Sequence, residues 1–148
     1  MVNLKELEGF FEARKQIGIL LLRVFIGARL IYGVVDNIIS WDQMIEFSHF
    51  LASHHFPLPI ISAVISVYVQ FFCGILLLIG FKTRIAAFVL VFNFLVAIFA
   101  VHISAGDSVE GTTPALAMLF GSLTLLFTGA EKLSLDHYFG SQKPGTSS

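Results

Sequence analysis

Four long apolar blocks dominate the chain and constrain its fold more than any other feature. They cover residues 17–35, 60–80, 85–104 and 112–130. About 20 apolar residues in a helix cross the ~30 Å hydrocarbon core of a bilayer, and the backbone groups of such a helix are satisfied within it. We therefore predict an all-α membrane protein with a bundle of four transmembrane helices.

The composition agrees with a single membrane domain. Hydrophobic residues make up 56% of the 148 residues and charged residues 13%, against about a quarter charged in soluble domains. One domain is expected over residues 1–139, followed by a disordered tail at 140–148. The net charge of −1 and the scattered basic residues argue against nucleic acid as a partner. The partner expected from the apolar blocks is the lipid bilayer.

The basic residues outside the blocks indicate the orientation. They precede the first block, separate the second from the third, and follow the fourth: Lys5, Arg14, Lys15, Lys82, Arg84, Lys132 and Lys143. The other two connections contain no Lys or Arg. Because Lys and Arg accumulate on the cytoplasmic side of a membrane, both termini are predicted to be cytoplasmic.

An amphipathic segment lies between the first two blocks, at residues 41–53. Wound as a helix, it places Trp41, Met44, Ile45, Leu51 and Ala52 on one arc, and only Phe50 interrupts the polar side. This pattern predicts an interfacial amphipathic helix on the outer side of the membrane. Leu4, Leu7 and Phe11 indicate a second such helix at the cytoplasmic surface.

Polar side chains inside the blocks are candidate site residues, because hydrocarbon offers them no partner. At about 1.5 Å per residue, three of them come out near the midplane: Arg29, Gln70 and Asn93. Five others gather towards the outer edge: Tyr32, Asp36, His102, Asp107 and Glu110. Arg23 lies in the cytoplasmic half.

The two arginines of the first block point about 120° apart on an ideal helix, so they have different roles. Arg29 either binds a ligand or forms a structural ion pair with Asp36 or Glu110. Arg23 either contributes to a ligand site or extends to the inner headgroups.

His102 is the only histidine inside a block, which excludes a haem held by two histidines. It either exchanges a proton with a ligand or bonds to Glu110 or Asp107. On a straight helix it lies about 180° from Asn93, so the two would not face one cavity.

Two stripes of small and polar residues are expected to be helix-packing faces. One contains Ser62, Ser66, Gln70 and Cys73–Gly74, and the other contains Thr113, Ala117, Gly121, Thr124 and Thr128. Within the first stripe, the Gln70 amide must find a hydrogen-bond partner in the bundle. Cys73 is the single cysteine, so an internal disulfide is excluded.

The chain carries no phosphate-binding loop, dinucleotide fingerprint, zinc-protease motif or nucleophile elbow. A self-sufficient hydrolase or kinase is therefore excluded. Catalytic residues are not assigned, and neither a metal site nor an intrinsic cofactor is expected.

An ordered set of short motifs runs through the blocks. It starts with LLRVFIGARLIYGVVDNI, continues with the Phe-Pro-x-Pro entry at 56–59 and the turn at 80–84, and ends with GAEKLSLDHYF at 129–139. In this order the motifs resemble the DoxX family of small four-span membrane proteins, over about residues 17 to 139.

The resemblance implies a four-helix bundle in a prokaryotic cytoplasmic (inner) membrane. It also implies a role in respiratory or in thiol and oxidative-stress chemistry, including subunits that act with quinones. The recurrent polar set of the family falls on Arg23, Gln70, His102 and Glu110. The chain departs from the family at Gln70, where members often have an acidic residue, and at Asp36, near where a lysine is common.

The leading hypothesis is a quinone- or small-lipid-binding accessory subunit in electron transfer or in detoxification of quinones and oxidants. The ligand-binding residues predicted for it are Arg23, Arg29, Tyr32, Gln70, His102 and Glu110. An oxidoreductase of this kind would need a redox protein partner, with a bound quinone as its only cofactor. The alternatives are a membrane anchor or assembly scaffold and, third, a small transporter that encloses a pore as a homo-oligomer.

Overall fold

Helices form all the regular secondary structure in the described part of the chain. The computed structural model describes residues 4–103 and 105–141, with the backbone alone at Lys5 and His102. The helices are α1 (Leu4–Glu12), α2 (Lys15–Ile39), α3 (Trp41–Ser53), α4 (Pro59–Ile79), α5 (Thr83–Ala97), α6 (Val109–Thr128) and α7 (Leu135–Ser141). A π-helical segment, Ile98–Ile103, continues α5.

Four helices are long and apolar enough to cross a membrane, as the sequence predicted. They are Lys15–Ile39, Pro59–Ile79, Thr83–Val101 and Val109–Thr128. Large apolar side chains remain exposed on their outward faces, among them Phe25, Phe72, Phe88, Phe92 and Phe120. Contiguous apolar surface of this kind suits lipid rather than water as the surrounding solvent.

The spanning helices pack in sequence, and α2 lies beside α4. Helix α4 contacts both α2 and α5, α5 contacts α6, and α6 meets α2 over a smaller area. One apolar core contains Ile26, Leu77, Leu90 and Leu125. The second core is built around Met44 and reaches α3.

The basic residues of two connections meet at one end of the molecule. Lys82, Arg84 and Lys132 line a common cavity there, and we call this the basic end. It joins the turn between α4 and α5 to the connection that follows α6.

Helix α3 has the bounds that the sequence predicted, and its buried face matches the predicted apolar arc in part, at Met44 and Leu51. Met44, Ser48 and Leu51 are buried, and Phe47 packs against the same core. Trp41, which the sequence placed on the apolar arc with Met44, is exposed. The location of α3 at the membrane surface stays a prediction.

Helix α7 takes in Gly140 and Ser141, the first two residues of the expected tail. The rest of that expectation, residues 142–148, lies outside the described residues.

Helices α2 and α4 approach closely at a pair of glycines. A Cβ added to Gly27 would lie 2.7 Å from the carbonyl oxygen of Gly74, and one added to Gly74 would lie 3.0 Å from that of Gly27. Backbone atoms cannot move aside as a flexible side chain can. Small residues at this crossing therefore set the distance between the two helices, as is usual in membranes.

We expect Gly27→Val to lower the free energy of unfolding by roughly 1–3 kcal/mol, the usual cost of overpacking. Gly18→Val is the matched control, because no atom lies within 4 Å of a Cβ at Gly18, on the same helix. Unfolding of both variants in detergent measures the difference. Equal stability of the two variants would contradict the close packing of α2 on α4.

Candidate functional site

Three polar side chains form a hydrogen-bonded relay between α4 and α5. The Gln70 amide nitrogen donates to the Ser66 hydroxyl over 3.1 Å. The Ser66 hydroxyl in turn donates to the Asn93 side-chain oxygen, also over 3.1 Å. Gln70 and Asn93 both lie near the middle of their spans, as the sequence predicted from their depth. The partner expected for the Gln70 amide is thus Ser66, one helical turn away.

The relay leaves hydrogen-bonding capacity unused. Neither the Gln70 side-chain oxygen nor the Asn93 side-chain nitrogen takes part in these two bonds. Gln70, Ser66 and Asn93 are half-buried rather than sealed in the core. The three groups can therefore offer both donors and acceptors to a molecule beside them.

A cavity of about 440 Å³ opens beside the relay. Four of its sixteen lining residues are polar, namely Ser62 and the three relay residues, and five are phenylalanines. The phenylalanines are Phe47, Phe50, Phe56, Phe92 and Phe94. We call this the aromatic cavity. Its size and its few polar groups on an apolar wall are typical of a small-molecule site.

A second cavity of about 650 Å³ lies between α2 and α6 and is lined by Arg29 and Gln70. Gln70 also lines the aromatic cavity, so it borders both. We call the second one the arginine cavity. Its wall includes Gly33, Ala115 and Ala117, whose small side chains leave the space open.

Arg29 does not form the ion pair with Asp36 or Glu110 that the sequence analysis considered. Among the described residues, the one salt bridge within 4.0 Å joins Lys15 to Glu12. The reason is geometric, since Asp36 lies two helical turns beyond Arg29. The Arg29 guanidinium extends instead towards Gly33, where an added Cβ would lie 2.8 Å from Nη1.

Arg23 is buried at the basic end and is not directed to the inner headgroups. It is 2% exposed. Its two terminal nitrogens donate to the carbonyl oxygens of Ala130, over 2.9 Å, and Leu133, over 2.8 Å. These bonds tie α2 to the connection that follows α6. The contacts of Arg23 are therefore those of a structural residue.

Asp136, which the sequence analysis did not single out, completes this arrangement. Its carboxylate accepts from the backbone N–H groups of Lys82, over 2.6 Å, and Thr83, over 2.9 Å. Its own N–H donates to the Gly80 carbonyl over 2.9 Å. Asp136 thus caps the start of α5. We call Arg23, Gly80 and Asp136 the latch.

Gly80 is required at the latch for two reasons. Its φ of +68° is left-handed, and a Cβ there would lie 2.6 Å from Arg23 Nη1. One signal for the latch is present in the sequence. Gly80 lies in the motif at 80–84 and Asp136 in the motif at 129–139, and the fold brings these two motifs together.

The remaining predicted ligand residues lie apart from the aromatic cavity. Tyr32 is 77% exposed, and its ring centroid is 6.0 Å from the Arg29 guanidinium. Glu110 is an exposed residue in the first turn of α6, where the Ser108 hydroxyl caps the helix by accepting from the Gly111 N–H over 3.2 Å.

The side chain of His102 lies outside the described residues, so its bond to Glu110 or Asp107 stays a prediction. Its backbone belongs to the π-helical segment. The straight-helix count that separated His102 from Asn93 by about 180° therefore fails after Ile98, because a π-turn changes the rotation per residue. Among the side chains that the structure describes, which do not include that of His102, no group of three potential metal ligands comes together.

Comparison with known proteins identifies one family. The family model of DoxX matches residues 18–103, which is more than half of the chain. No match was found among curated proteins or among solved structures.

We expect Asp136→Asn to lower the free energy of unfolding by about 1–3 kcal/mol, because at least one backbone N–H at the start of α5 loses its partner. Hydrogen exchange at Lys82 and Thr83 should also become faster. Glu46→Gln removes an exposed carboxylate from α3 and serves as the control. Unchanged exchange at both amides would contradict the capping role.

Proposed function

The chain belongs to the DoxX family, and we propose that this member binds a quinone, or a small lipid with similar carbonyl groups, in the aromatic cavity. The observation that carries the proposal is the Gln70–Ser66–Asn93 relay on the wall of a cavity that is otherwise apolar.

The groups on this wall fit a quinone. A quinone ring is flat and apolar, with carbonyl oxygens that only accept hydrogen bonds. The Asn93 and Gln70 amides can donate to such an oxygen, and the phenylalanines offer faces and edges for ring packing. The neutral Gln70, in place of the acidic residue common in the family, supports this assignment, since an ionised carboxylate has no proton to donate.

The ligand would supply the redox chemistry, and the chain's own residues would bind and orient it. Asn93 and Gln70 would hold the carbonyls near the midplane, where a membrane quinone is dissolved, while the aromatic wall keeps water away. Electrons would have to come from a partner protein. We therefore propose an accessory subunit in electron transfer or in quinone and oxidant detoxification.

Co-purification tests this proposal. We expect wild-type protein in mild detergent to retain a quinone or isoprenoid, identified by solvent extraction and mass spectrometry. Gln70→Leu and Asn93→Leu should each lower the retained amount about tenfold, since one hydrogen bond to a buried carbonyl is lost. Gln43→Leu, on the exposed side of α3, is the control for loss of an amide.

Retention of bulk phospholipid alone, unchanged in all three variants, would overturn the proposal. The membrane anchor or assembly scaffold would then be the better account. A search for proteins that co-purify with the wild type would follow.

We further propose that the basic end faces the cytoplasm of a prokaryotic cell, with the protein in the inner membrane and both termini inside. A membrane-impermeant maleimide tests this orientation. Glu46 and Lys132 are both exposed, so a cysteine at either position is open to the reagent on its own side of the membrane. Glu46→Cys should therefore react in intact spheroplasts, and Lys132→Cys only after permeabilisation. Native Cys73 is buried and gives a low background. The reverse pattern would contradict the orientation.

A further inference from the structure

We propose that the arginine cavity is a second site, which binds a long-chain carboxylate with its acid group on Arg29. This inference is independent of the quinone proposal, because it rests on another cavity and on another polar group.

Arg29 carries a charge near the centre of a span and has no ionic partner among the described residues. It is the fifteenth of 25 residues in α2, and it is exposed. No carboxylate of the described residues lies within salt-bridge distance of it. A charged side chain at the centre of a span costs several kcal/mol unless it is paired. A positive charge with a free guanidinium face is therefore available to an anion.

Arg23, on the same helix, shows the contrast. Both terminal nitrogens of Arg23 are occupied by backbone carbonyl oxygens. Arg23 is thus enclosed, and both of its terminal nitrogens have backbone partners. Arg29 has instead a flanking ring, that of Tyr32, and an adjacent cavity.

The wall of the arginine cavity combines one charge with apolar surface. Among the twelve residues that line it, Arg29 is the only charged one and Gln70 carries the only side-chain amide. The remaining lining residues are apolar or small, such as Phe25, Ala117 and Met118. A ligand that complements this wall has one negative charge and a long apolar body.

The Arg29 guanidinium lies well inside the C-terminal end of α2. It reaches Gly33, which lies six residues before the end of α2 at Ile39. At 1.5 Å per residue this is about 9 Å inside the helix end. A small acid group on one chain can reach this depth more easily than a phosphodiester headgroup with two chains. A carboxylate also matches the two parallel N–H donors of an arginine.

Native mass spectrometry in a non-ionic detergent tests the proposal, with sodium oleate as the probe. We expect one oleate per wild-type chain and at least tenfold weaker binding to Arg29→Gln, since a charge-assisted pair is lost. Arg29→Lys should retain part of the binding, because the charge remains without the bidentate geometry.

Three further variants extend the test, one that displaces the guanidinium and two controls. Gly33→Ala should weaken binding with the charge intact, because its methyl group would displace the guanidinium. Arg84→Gln removes a cation at the basic end and should leave oleate binding unchanged. Asn93→Leu should also leave it unchanged, because Asn93 lines only the aromatic cavity of the two. That variant separates this proposal from the quinone proposal.

Ligand comparisons identify the source of the anion. Oleyl alcohol should bind far more weakly than oleate, and acetate should not compete at the same concentration. Equal binding of oleate and oleyl alcohol, or undiminished binding to Arg29→Gln, would overturn the proposal. Preferential binding of phosphatidylglycerol would also overturn it, as would a dimer that is lost in Arg29→Gln without any bound acid.

Discussion

The hydrocarbon core of a bilayer offers no hydrogen bonds, so every polar group inside the four spans needs a partner from the protein or from a ligand. Arg23 meets this need with two carbonyl oxygens from the connection after α6. Because those carbonyls lie more than 100 residues away in the chain, pairing Arg23 also fixes the end of α6 against α2. Asp136 is thereby brought to the turn between α4 and α5, where it caps α5. Pairing one charge thus joins helix α2 and two connections at the basic end.

The polar groups inside the spans differ in how completely they are paired. The terminal nitrogens of Arg23 are occupied by backbone, so its contacts are structural. Gln70 and Asn93 are paired in part through Ser66 and keep atoms free beside the aromatic cavity. Arg29 has no ionic partner among the described side chains and borders the larger cavity. Burial with backbone partners on both terminal nitrogens indicates structure, whereas a spare donor at a cavity indicates a ligand.

The sequence predicted the spans, the bounds of α3 and the depths of Gln70 and Asn93, because hydropathy and the helical rise are local properties. It found Met44 and Leu51 on the inward face of α3 but also placed the exposed Trp41 and Ala52 there, since a face against protein and a face against lipid are equally apolar. It missed the latch because Asp136 and its partners are 53 and 54 residues apart, which no periodicity reveals. It also omitted Asn93 from the ligand set, although its equal depth with Gln70 was a usable signal.

The relay of α4 and α5 marks the ligand site that we propose in the aromatic cavity. Photolabelling with an azido-quinone, followed by peptide mapping, tests it most directly. We expect the label on residues 62–70 and 89–97, and an excess of unlabelled quinone should remove it. A label spread over the lipid-facing phenylalanines of all four spans, and insensitive to competition, would contradict the proposed site.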